Sequence, residues 1–174
     1  MSVPDIPIED LKTAVANSLS SVFQTMLSYD CESQRHDDLT GSRAQMPELG
    51  GESMMAVHVG SVGFVGAING LVYLYMKTDF VSESAEKITG LDPSELDGDM
   101  VSDVCGELTN IFGGGFKNAV ADLGYESVLT IPTVFSGDEL FISTIGVVRH
   151  LRVEFLVNGQ EVIADLVLAN PSAA

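Results

Sequence analysis

Residues 56–76 read AVHVGSVGFVGAINGLVYLYM, twenty-one residues without an Asp, Glu, Lys or Arg. A run of that length without charge is ordinarily shielded from water over most of its length. Two structures do this: a helix across a bilayer, or strands in the interior of a sheet. The run is rich in Gly and Val, it holds His58 and Asn69, and Asn69-Gly70 is a common turn signal. It therefore reads as a buried β-hairpin and not as a membrane span.

The hairpin sits in the first of two similar halves. Before it, Ile8, Leu11, Val15, Val22 and Met26 recur at helical spacing and predict a helix over 8–28. A polar segment, 29–51, separates that helix from the hairpin and reads as a long loop. A shorter helix is expected over 79–89, ending at Gly90, followed by a turn at Leu91-Asp92-Pro93-Ser94. The second half repeats the theme. A long helix is expected over 98–123, ended by Gly124, then strand-like ESVLTIPTVF with Pro132 at an edge, strand end or bulge. HLRVEFLV and EVIADLVL alternate around Asn158-Gly159-Gln160, the pattern of a tight hairpin, and the tail ANPSAA is expected to fray. The whole chain, 1–174, reads as one α+β domain with a pseudo-twofold internal repeat, an antiparallel sheet carrying long helices.

Charge narrows the partners. Acidic residues outnumber basic ones 25 to 8, a formal net charge of −17. Nucleic acid and anionic membranes want basic patches, so neither is an expected partner. Two cysteines, Cys31 and Cys105, make no disulfide framework. The start, MSVPDIPIEDLK, lacks the basic and apolar regions of a signal peptide, so the expected location is the cytoplasm.

The long second-half helix is where chemistry concentrates. Its central stretch, SDVCGELTNIFGGGFKN, holds a carboxylate, a carboxamide and three consecutive glycines. Each interior glycine costs a helix about 1 kcal/mol relative to alanine, so the run needs a reason. On a helical wheel, Val101, Val104, Cys105, Leu108, Ile111 and Phe112 fill an arc of roughly 120° that forms the core face. Asp103, Glu107, Asn110 and Gly114 share a narrower arc on the opposite side. Glu107 and Asn110 are thus neighbours on an open face, and Gly114, one turn on, leaves space beside them. An exposed helix face is ordinarily polar, so the arc alone assigns no function.

The pattern Asp103-x3-Glu107-x2-Asn110-x21-Pro132 resembles the D/S-x3-E-x2-N-x21-P signature of the CheC/CheX/FliY family of chemotaxis phosphatases. The helices and hairpins follow the family's order over most of the chain. The resemblance implies a CheX-like fold and a phosphatase acting on the phosphoaspartate of a CheY-like response regulator. It implies that Asn110 holds a water in line with the phosphorus and that Glu107 pairs with a lysine of the regulator. Asp103 and Gly114 then face the partner, and the glycine run clears room for its loops. No intrinsic cofactor is implied: Mg²⁺ belongs to the regulator. A homodimer is implied as well, and the apolar strand EVIADLVLAN, if it lies at the sheet edge, would pair with a second copy. The other reading is a non-catalytic interaction module on the same fold, like the middle domain of the flagellar switch protein FliM, which lacks the motif.

A fainter repeat, Asp10-x3-Ala14-x2-Asn17, puts three residues of the first helix at the same spacing, opposite its apolar face. Ala14 replaces the glutamate, and Leu39 stands where the proline would be. One complete motif resembles CheX, and Asn17 is either a vestige or an ordinary surface residue. His36, His58 and His150 are scattered and predict no metal site, Gly60-x2-Gly63-x2-Gly66 lacks the lysine of a phosphate loop, and Cys105 reads as a small buried hydrophobe.

Overall fold

The uncharged run folds as the expected hairpin, strands β2 (Val57–Gly66) and β3 (Asn69–Lys77). The computed structural model describes residues 4–41, 47, 56–138, 140, 142 and 146–169. The turn lies at Ala67 and Ile68, two residues earlier than the Asn-Gly signal suggests. Asn69 instead opens β3, and its Oδ1 accepts the Gly66 N–H at 3.3 Å. In the second hairpin, β6 (Val147–Val157) and β7 (Gln160–Ala169), the signal holds. Asn158 and Gly159 form the turn at φ 47° and 80°, the doubly left-handed backbone that lets a two-residue turn follow the strands' twist.

Among the described residues, seven antiparallel strands make one sheet in the order β1-β6-β7-β3-β2, with β4 (Ser127–Leu129) and β5 (Thr133–Gly137) sharing the outer edge of β2. The break between β4 and β5 falls at Thr130-Ile131-Pro132. The order shows the internal repeat. Exchanging β1 with β4–β5, β2 with β6 and β3 with β7 maps the sheet onto itself about an axis between β3 and β7. Each half lends its first strand to the other, since β1 pairs β6 and β5 pairs β2.

Strand β1 (Cys31–Asp38) was not legible: the segment reads as loop. It lies at the sheet's end and is exposed along most of its length, so no apolar alternation marks it. Its charges and the register shift between Ser33 and Arg35 are devices that blunt a free edge. The rest of the expected loop, 42–46 and 48–51, and the tail from Asn170 lie outside the described residues. The expectation that β7 forms an edge is overturned: it is flanked by β6 and β3 on both sides. Its apolar run is the signature of an interior strand.

Helices α1 (Ile8–Leu27), α2 (Thr78–Thr89) and α3 (Gly98–Asp122) cover one face of the sheet. The main core there joins Leu11, Leu19 and Phe23 of α1, Phe80 of α2, and Leu108, Phe112 and Phe116 of α3 to Phe64, Leu74, Phe155 and Leu166 of the strands. A smaller cluster on the other face holds Val59, Tyr73, Tyr75, Ile163 and Val167, with Leu140 and Ile142 packed on it. Helix α3 starts at Asp97, whose Oδ1 accepts the Met100 N–H at 2.9 Å.

The glycine run answers to packing more than to a partner. A Cβ at Gly113 would lie 2.4 Å from Cγ1 of buried Val62, and one at Gly115 3.1 Å from Cβ of Ser18 in α1. Only Gly114 of the three opens onto free space, with no atom within 4 Å of where a Cβ would stand. The expectation that the whole run clears room for a regulator therefore holds at most for Gly114. Gly113→Ala is expected to cost about 1–3 kcal/mol through overpacking, despite alanine's better helix propensity. Gly114→Ala is expected to stabilise by up to about 1 kcal/mol. Urea unfolding compares them, and equal midpoints would contradict this division of roles.

Candidate functional site

Helix α3 is held against β2 by close approach. A Cβ at Gly60 would fall 1.8 Å from Thr109 Oγ1, and Thr109 is fully buried, its hydroxyl donating to the Cys105 carbonyl at 2.7 Å. Gly106 meets Val134 of β5, and Phe116 meets Phe64 with ring centroids 5.4 Å apart. These contacts fix the rotation of α3 about its axis. Of the glycines of β2, which lack the setting of a phosphate loop, Gly60 serves this packing, while Gly63 and Gly66 lie against Thr130 and Glu126–Ser127 at the β4 edge.

The fixed rotation leaves one face outward. Asp103 and Glu107 are exposed, and Asn110 and Gly114 are half-buried. Glu107 and Asn110, three residues apart, have Cβ atoms about 5–6 Å from one another. Since β4 and β5 run antiparallel to β2, the Ile131-Pro132 break lies between Val134, level with Gly106, and Leu129, paired with Phe64. The motif proline thus belongs to the strand edge beside the Asn110 stretch of α3. The structure brings Asp103, Glu107, Asn110 and Gly114 onto one surface. Behind them Cys105 is fully buried, and burial pushes its thiol up to about 12, so it stays protonated.

The second-motif reading does not survive. Ala14 is 5% exposed and belongs to the core, so Asp10, Ala14 and Asn17 do not share an open face. Position by position, the burial of residues 11–20 repeats that of 101–110. Both stretches lie within helices, so equal burial means that they present equivalent faces to the core. By that register Thr13, Asn17 and Ser20 of α1 occupy the places of Asp103, Glu107 and Asn110. The three-residue slip comes from matching letters without matching phase.

Two features escape a reading of the sequence. Thr109, in the middle of the motif, is a buried polar anchor. On the sheet's other face Asp165, 2% exposed, takes hydrogen bonds from Arg152 Nε and Nη2, each at 2.7 Å, and from Tyr75 at 3.2 Å. His150 Nε2 lies 3.1 Å from the same carboxylate. Burial alone would raise the pKa of Asp165, but the hydrogen bonds from Arg152 and the His150 ring beside it outweigh it and hold the pKa below the usual carboxylate value. Of the scattered histidines, His58 pairs with the Thr78 hydroxyl at 3.1 Å and burial lowers its pKa. Among the described residues, no three His, Cys, Asp or Glu side chains come together so as to hold a metal ion, and no helix is long and apolar enough to cross a membrane.

The model of the family described as chemotaxis phosphatase CheX matches residues 58–156, more than half of the chain and the whole of the motif helix. The chain belongs to the CheX family. Solved structures agree on the fold. CheX from Vibrio vulnificus is 21% identical, with TM-score 0.72 over 91% of this chain and 99% of that one. CheX from Borrelia burgdorferi, solved as a CheX-CheY-BeF3-Mg complex, is 23% identical, with TM-score 0.61 over 94% and 97%. The FliM middle domain from H. pylori is more distant, at 13% identity and TM-score 0.55 over 94% of each chain. Among curated proteins, none matches the chain in sequence.

Proposed function

We propose that this CheX-family chain hydrolyses the phosphoaspartate of a CheY-like response regulator. The observation that carries the reading is the placement of Glu107 and Asn110 side by side on the open face of α3, at the family's motif spacing. Phosphoryl transfer asks a protein for positioning and electrostatics more than for covalent chemistry. The amide of Asn110 can donate to a phosphoryl oxygen while accepting from a water, and being neutral it does not repel the anion. Glu107 pairs with the regulator's lysine and sets the register of the complex, Asp103 and Gly114 line the contact, and Mg²⁺ comes with the regulator. A cytoplasmic setting fits such a partner. A purely structural module of the FliM kind would have no use for this pair. The test is affinity for a phosphorylated regulator: Glu107→Lys should bind at least about tenfold more weakly than wild type, because an ion pair becomes a like-charge contact. Equal affinity would remove Glu107 from the interface.

The implied homodimer needs another interface, since β7 is interior. Its candidate is the β4–β5 edge. From Ser127 to Gly137 it has no charged residue, and Val128, Ile131 and Phe135 are 68%, 87% and 44% exposed, in contrast to the charged edge at β1. Light scattering at micromolar concentration should give a dimer that Ile131→Lys dissociates. A strict monomer at every salt concentration tested would rule it out.

A further inference from the structure

The open face of α3 does not end at Gly114. Three residues on, one more side chain falls in the same stripe: Lys117, the only basic residue of the helix. The stripe is therefore polarised, running from Asp103 and Glu107 through the neutral Asn110 and Gly114 to a cation. The chain's other cations are mostly engaged. Lys12 pairs with Glu9, Arg35 with Asp37 and Glu154, Arg149 with Asp5, Arg152 with Asp165, and Lys87 sits over the Tyr29 ring. Among the described residues, only Lys77 and Lys117 carry no such contact. Side chains on a helix lean toward its N-terminus and cover the preceding turn. For Lys117 that turn holds Gly114, which has no side chain to obstruct it, and beyond it Asn110, about 10 Å away along the axis.

We propose that Lys117 is a docking residue that receives the partner's phosphoryl group across the Gly114 gap. This rests on the phosphatase reading. The physical need is plain. A chain of net charge −17 repels an anionic phosphoryl group at long range, so a local cation beside the site sets both its approach and its orientation. The ammonium keeps its flexible stem, so it draws the anion in as a point charge and leaves the water to Asn110.

The experiment measures phosphate release from a phosphorylated regulator under steady-state conditions at low ionic strength. Lys117→Glu should raise KM about tenfold or more and leave kcat within about twofold, while Lys117→Arg restores KM. Added salt should raise the wild-type KM and flatten its difference from Lys117→Gln. Lys77→Glu is the control: it changes net charge equally but lies at the far end of the sheet, paired with Val57, and should leave KM near wild type. If Lys117→Glu matches wild type, or if Lys77→Glu raises KM as much, the inference falls and the phosphatase reading stands. If wild type releases no phosphate from any regulator, both fall.

Discussion

Asn110→Ala is expected to abolish most phosphatase activity while leaving the protein as stable as wild type or slightly more so. A polar group that positions a reacting water or steadies the transition state contributes about 10²–10³ in rate, and a loss of that size is expected here. Stability should not follow. Asn110 is half-buried on the open side of α3, so its removal creates no core cavity, and alanine is a better helix former by a few tenths of a kcal/mol. KM should change little, since Glu107 and Lys117 do the docking. The opposed signs make the test sharp: activity falls while the unfolding midpoint holds or rises. An active Asn110→Ala would remove the residue from the mechanism, and an inactive but unfolded one would move it into the scaffold.

Asp165→Ala should do the reverse. The carboxylate is buried between Arg152, Tyr75 and His150, and deleting it removes the buried acceptor to which Arg152 and Tyr75 donate. Breaking a buried pair from one side costs about 3–5 kcal/mol, which for a chain of this size lowers Tm by roughly 6–20 °C. The network lies on the face of the sheet opposite α3, so whatever fraction stays folded should turn over normally. The pH dependence follows from the depressed pKa of Asp165. A carboxyl more acidic in the folded than in the unfolded chain stabilises above its unfolded pKa of about 3.9, and that stabilisation is lost as pH falls through the folded value. The stability gap between wild type and Asp165→Asn should therefore be widest near neutrality and close under acid. A gap constant down to pH 2 would place the effect in packing instead of charge.

What the sequence discloses tracks how strongly water sorts its residues. The uncharged 56–76 run and the alternating 147–169 hairpin are buried, and both are legible as strands. The α3 wheel is legible for the same reason: Val104, Cys105, Leu108 and Phe112 must point inward, so Glu107 and Asn110 must point out. Strand β1 is not, because a strand exposed on both sides has nothing to alternate. The edge position expected for β7 fails because an apolar run states that a strand is covered but not by what. The Ala14 error is one of phase: a motif's spacing can be matched at any rotation, and only the burial of Leu11, Val15 and Leu19 fixes which one is real. The glycine run and Thr109 are opaque because their partners, Val62, Ser18 and Gly60, are contacts across elements that no local pattern encodes.

Catalytic removal of phosphate from a phosphorylated regulator is read from the decay of radiolabelled phosphoregulators, sampled from several pathways, with a substoichiometric amount of the wild-type chain. For at least one regulator each chain is expected to release many equivalents of phosphate, and the decay rate to rise in proportion to the amount of chain added. Decay unchanged from the regulator's own rate, or slowed because the chain merely binds and shields the acyl phosphate, would contradict it.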